Sequence, residues 1–120
     1  MINILLVEDE PLWQQGIQAL LQTHENLYLA GIAEDGDYAL ELFGTLKPDI
    51  VLMDWNLKAG KSRMDGLDVA KAMTDQGYPT GRIILVTGSD PALLPAHTHV
   101  VVSKPKIASH LIEAIMNVAI

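Results

Sequence analysis

Apolar runs and amphipathic stretches alternate along the whole of this chain, and that alternation constrains the fold more than any other feature. Ile2–Val7, Leu27–Ala33, Ile50–Met53, Arg82–Val86 and Val100–Val102 read as strands. Pro11–Thr23, Asp35–Leu46, Leu67–Asp75 and Ala108–Ala119 read as helices. In the first helix Leu12, Ile17, Leu20 and Leu21 recur at helical spacing, and Pro11 suits the first turn. In the second, Ala39, Leu40, Leu42 and Phe43 face inward, and Pro48 stops the helix. Runs such as Ile83-Ile84-Leu85-Val86 show no polar alternation, as expected of strands buried on both faces. Five strands interleaved with helices therefore predict an α/β fold, a parallel sheet with helices on both faces. Residues 55–65 read as polar and irregular, and 88–99 fit neither pattern.

At 120 residues the chain suits a single domain, 1–120. It has no cysteine, which excludes disulfide frameworks and thiolate metal sites. The net charge of -7 argues against direct nucleic-acid binding, because affinity for a phosphate backbone needs Lys and Arg. The apolar opening, residues 1–7, has no basic flank and ends at Glu8. It is too short for a signal peptide or a span, so a cytoplasmic protein with no membrane partner is expected.

Parallel sheets bind ligands beyond the carboxyl ends of their strands, where strand order reverses. The first predicted strand ends in Glu8-Asp9-Glu10, the third in Asp54, the fourth in Thr87-Gly88-Ser89 and the fifth in Ser103-Lys104-Pro105. Three carboxylates gathered at one edge repel one another. A hard divalent cation relieves that repulsion: Mg²⁺ takes one or two carboxylates, keeps waters and accepts a phosphate oxygen. Asp9 and Asp54 suit direct ligation, with Glu8 acting through water. A metal-bound Asp54 is also a candidate nucleophile, since carboxylates form aspartyl-phosphates. Lys104 supplies a point cation, and Thr87 a hydroxyl donor, for charge on a transferring phosphoryl group. Pro105 fixes the chain after Lys104, in a place where a cis bond is common. Taken singly, each residue has an ordinary explanation as a helix cap, a turn or a surface lysine. Glu10 keeps that ordinary reading, as a first-turn helix acid. The joint pattern, one chemical piece at the end of each of four strands, is what points to a site.

The segments Leu5-Leu6-Val7-Glu8-Asp9-Glu10, Asp49-Ile50-Val51-Leu52-Met53-Asp54, Val86-Thr87-Gly88 and Ser103-Lys104-Pro105 resemble, in order, the signature blocks of two-component response regulator receiver domains. Met64-Asp65-Gly66-Leu67 resembles that family's turn into the third helix. The resemblance implies a flavodoxin-like three-layer sandwich with strand order 2-1-3-4-5. It implies a phosphorylation-switched signalling domain rather than an enzyme. Asp54 would accept a phosphoryl group from a sensor histidine kinase or a histidine phosphotransfer protein, with Mg²⁺ (or Mn²⁺) as cofactor and slow self-dephosphorylation. Glu8 and Asp9 match the acidic pair, Thr87 the hydroxyl and Lys104 the lysine. Asn56 matches the residue whose backbone carbonyl completes the metal shell. The side chains of Asn56 and Ser89 match positions that tune dephosphorylation, and a homodimer is a further partner to expect.

Two features depart from the family pattern. The loop from Trp55 to Asp65 is longer by about four residues and carries Lys58, Lys61 and Arg63. The stretch from Gly88 to His99 is shorter by about five and contains Pro91 and Pro95, so the family's fourth helix should be short or irregular. Val101 stands at the switch position, where the family keeps an aromatic residue that swings inward as Thr87 moves. A buried β-branched side chain has no comparable swing. Relay of the phosphoryl group onward, or binding without phosphorylation, are the alternative roles.

Other signals carry less. Ala59-Gly60-Lys61-Ser62 resembles a P-loop tail, but Trp55 stands where that motif needs its first glycine. His97 and His99 lack a third ligand. Trp13 reads as an amphipathic contact or a partner-facing anchor. A phosphatase that forms an aspartyl-phosphate would need an acid two residues after the nucleophile, and Asn56 cannot serve.

Overall fold

Five strands form one parallel sheet in the computed structural model, which describes residues 1–57, 64–88, 90, 92 and 99–119. They are β1 (Ile2–Val7), β2 (Leu27–Ala33), β3 (Ile50–Asp54), β4 (Ile83–Thr87) and β5 (Val100–Ser103). Their order, β2-β1-β3-β4-β5, is the flavodoxin-like order expected. Four helices among the described residues accompany them: α1 (Pro11–Leu21), α2 (Gly36–Leu46), α3 (Gly66–Asp75) and α4 (Ile107–Ala119). No described helix is long and apolar enough to cross a membrane.

The two-residue period of the strands splits the core in two. Leu5, Val7, Val51, Met53, Ile83 and Leu85 face Ala39 and Phe43 of α2 and Val69, Ala70 and Met73 of α3. Ile4, Leu6, Ile50, Leu52, Ile84 and Val102 face Ile17 and Leu21 of α1 and Leu111 and Ile115 of α4. Each such aliphatic side chain contributes roughly 1.5–3 kcal/mol by leaving water. This explains why the central strands read as unbroken apolar runs: both faces are covered.

Several expectations need correction. Leu12 is 81% exposed, not part of the α1 core face. It lies five residues before Ile17, which at 100° per residue puts it on the far side of the helix. Trp55 and Leu57 are buried against the α2–α3 core, so the chain after β3 is not polar at its start. The Trp55 amide continues the sheet, donating to the Val86 carbonyl at 2.8 Å. Arg82 belongs to a short 3-10 turn before β4 rather than to the strand. Val101 is half-buried rather than buried. The bond before Pro105 is trans, with no cis peptide among the described residues. Ser89, the basic insert Lys58–Arg63 and most of the stretch expected to hold a short fourth helix lie outside the described residues.

Candidate functional site

Strand order decides which side chains meet. β1 and β3 are neighbours, with Val7 opposite Met53, so the residues that follow them emerge side by side. Ligand oxygens of Glu8, Asp9 and Asp54 all lie within 4.8 Å of one another. Glu8 and Asp54 are buried and Asp9 is half-buried. Thr87, buried at the end of β4, pairs in register with Ser103, which places Lys104 just beyond. Lys104 is only 8% exposed, and its Nζ lies 2.9 Å from Glu8 Oε1 and 3.5 Å from Asp54 Oδ1.

The backbone holds this arrangement tightly. The Asn56 amide donates to Asp54 Oδ1 at 3.3 Å, and the Glu10 amide to Glu8 Oε2 at 3.2 Å. Gln14 donates from Nε2 to the Glu8 carbonyl at 2.6 Å, tying α1 to the end of β1. Gly66, the first residue of α3, donates its amide to the Trp55 carbonyl at 2.9 Å. A Cβ at Gly66 would lie 2.0 Å from the Asp54 carbonyl oxygen, so only glycine lets α3 start this close to the acid.

One cation for three acids leaves excess negative charge, and the electrostatics reflect it. Burial pushes the Asp54 carboxyl up from 3.8 to about 8, helped by the hydrogen bond and charge of Glu8. The Lys104 charge and the Asn56 amide oppose that rise without cancelling it. For Lys104, burial works to lower its pKa. The hydrogen bond to Glu8 and the charges of Asp54, Glu8 and Glu10 outweigh it, leaving the ammonium above its ordinary value. A buried acid whose ionisation is disfavoured, set beside two further carboxylates, is a donor set suited to a hard cation.

An open cavity of about 310 Å³ adjoins the acids, lined by Trp13, Asp54, Asn56, Lys104 and Pro105 together with Glu10 and Gly88. Residues 4–116 match the model of the response regulator receiver domain. The chain belongs to the response regulator receiver domain family. Receiver domains are the phosphoacceptor signalling modules of response regulators. The chain is 34% identical over 88 residues to the nitrate/nitrite response regulator NarP of Escherichia coli, covering 73% of this chain and 39% of that protein. It is 32% identical over 94 residues to the transcriptional regulatory protein NarL of Mycobacterium tuberculosis, covering 78% and 41%. It thus spans about two fifths of the length of these relatives. Among solved receiver structures, that of the M. tuberculosis NarL receiver domain superposes with a TM-score of 0.73 at 25% identity, over 96% of each chain. The response regulator domain of Thermotoga maritima CheB shares the fold, with a TM-score of 0.83 over 99% of this chain and 96% of that one, at 22% identity.

The structure brings together Glu8, Asp9, Asp54 and Lys104 of this receiver at the strand ends expected, with Asn56 lining the cavity beside Asp54 and Thr87 ending β4, the strand between β3 and β5. Val101 is separate from the acids and lines a neighbouring hollow with Ser103, Lys106 and His110. Sequence reasoning missed Trp13 and Glu10 as cavity residues and Gly66 as the spacer beneath Asp54. The available signal for Trp13 was its position in the first turn of a helix that starts directly after the acidic strand end.

Proposed function

We propose that this receiver domain accepts a phosphoryl group on Asp54 from the phosphohistidine of a sensor histidine kinase or a histidine phosphotransfer protein. The observation that carries the reading is the buried cluster of Glu8, Asp9 and Asp54 with the Lys104 ammonium 2.9 and 3.5 Å from two of them. Glu8, Asp9, Asp54 and the backbone carbonyl of Asn56 would hold Mg²⁺ or Mn²⁺. When bound, the ion neutralises the acids and the incoming phosphoryl oxygens. An Asp54 carboxylate oxygen bonds to phosphorus as the donor's P–N bond breaks, the electron pair leaving with the imidazole. Lys104 and Thr87 balance charge on the transferring oxygens. Asn56 and Ser89 occupy the sequence positions that tune attack of water on the acyl phosphate in the family the chain resembles, which supports slow self-dephosphorylation.

Incubation with acetyl phosphate and Mg²⁺ should add one phosphate, read by intact mass. Chelator should abolish the addition, and so should Asp54→Asn. Labelling that survives Asp54→Asn would falsify the assignment.

A further inference from the structure

The Lys104 side chain has four rotatable bonds and a single useful position, so something must hold it. Three contacts do: Glu8 Oε1 at 2.9 Å, Asp54 Oδ1 at 3.5 Å, and the face of the Trp13 ring, whose centroid lies 5.0 Å from Nζ. The first two belong to the carboxylates that would also hold the cation. Once their charge is shared with a divalent ion, they attract the ammonium less, and the ion itself repels it. The negative face of the indole is not consumed in that way. Of these three contacts, the ring is the one that keeps its strength in the loaded site.

We infer that Trp13 is a positioning residue: its indole face keeps the Lys104 ammonium directed into the cavity beside Asp54 when a divalent cation occupies the acid cluster. The placement follows from the fold. Trp13 is half-buried in the first turn of α1, a helix that shares its sheet face with α4, and its ring reaches over the end of the sheet to the residue after β5. It also walls the cavity that Asp54 and Asn56 line, so the ring and the reacting carboxylate share one space. This inference rests on the metal-assisted reading of the site proposed above.

The test compares the parent protein, Trp13→Ala and Trp13→Phe. With saturating Mg²⁺, the ε-methylene protons of Lys104 in the parent should resonate upfield of the other lysines, shifted by the indole ring current. Trp13→Ala should return them to the common lysine position, and Trp13→Phe should keep part of the shift. Labelling by acetyl phosphate should slow by about 3- to 30-fold in Trp13→Ala, the range a partly desolvated cation–π contact supports. Trp13→Phe should recover most of that rate, while Mg²⁺ affinity, read from metal-induced amide shifts, stays unchanged in both. An unshifted Lys104 resonance in the Mg²⁺-loaded parent overturns the inference whatever the labelling shows. So does a Trp13→Ala rate equal to the parent's, or a loss of Mg²⁺ affinity in step with the rate. If the parent itself takes up no phosphate on Asp54, the phosphoacceptor reading fails separately, and the Lys104 resonance alone decides the role of Trp13.

Discussion

Burial and the neighbouring Glu8 make the Asp54 carboxyl hold its proton more tightly than an ordinary aspartate, and this has a measurable consequence. Its carboxyl titrates near 8 in the fold against 3.8 as the ordinary value, chiefly because it is buried and then because Glu8 is beside it. Between those values the folded protein binds a proton that the unfolded chain has released, so stability without metal should fall as pH rises from about 4 to about 8. Urea melts in chelator across that window should show the decline, and Asp54→Asn should flatten it. Divalent metal has to displace the same proton, so its affinity should rise with pH over the same range. A pH-independent midpoint in the parent would contradict both statements. The acids, Thr87 and Lys104 were legible in the sequence because each closes a strand, and a parallel sheet brings strand ends together. Trp13 over Lys104 was not legible. That contact depends on how far two long side chains reach across the end of a sheet, which neither helical periodicity nor motif spacing encodes.

The described helices differ most in how they end. α3 opens with a capping box: the Asp65 side chain accepts from the Asp68 amide at 2.9 Å, and the Asp68 side chain from the Asp65 amide at 3.2 Å. α2 is capped by Asp35, which accepts from the Tyr38 amide at 2.8 Å. It closes on Lys47 in the left-handed region, φ 48 and ψ 60, a conformation that disfavours a side chain. Asp65→Ala should therefore lower stability by about 1 kcal/mol. Lys47→Gly should raise it by roughly 0.5 kcal/mol, the relief of the left-handed strain exceeding the added freedom of the unfolded chain. Equilibrium urea unfolding reads both, and the two shifts should have opposite signs. Element types and order were legible, because buried strands and amphipathic helices have different periods. Their ends were less so. α3 starts at Gly66, although glycine is a poor helix former, because its missing Cβ leaves room under the Asp54 carbonyl. Leu12 failed as a core residue because the first turn of α1 presents it on the face away from Ile17.

At the scale of the whole molecule, the sheet order separates what the site joins. Glu8 follows β1 and Asp54 ends its neighbour β3, both central strands, but Lys104 follows β5, an edge strand of four residues whose first residue, Val100, is 39% exposed. The sheet and its order were legible from alternation and motif order together. The geometry of 88–99 was not, because proline punctuation says where a helix cannot run without saying what the chain does instead. Lys104 thus pins the outermost strand to the middle of the sheet, through its ion pair with Glu8 and its contact with Asp54, which cross the end of β4. The acid cluster is in this sense a clasp, and the amides of β5 should report whether it is fastened. Removing the charge while keeping the bulk, as in Lys104→Met, should hasten hydrogen exchange at the β5 amides bonded to β4, with the amides of Leu5 and Leu6 in β1 unaffected. Equal protection of β5 in the two proteins would show that packing of Val101 and Val102 alone holds that edge. With the clasp fastened, opening of the sheet's far margin and disassembly of its chemistry become one event. A chain that has not finished docking its last strand then has no complete site to offer a phosphodonor.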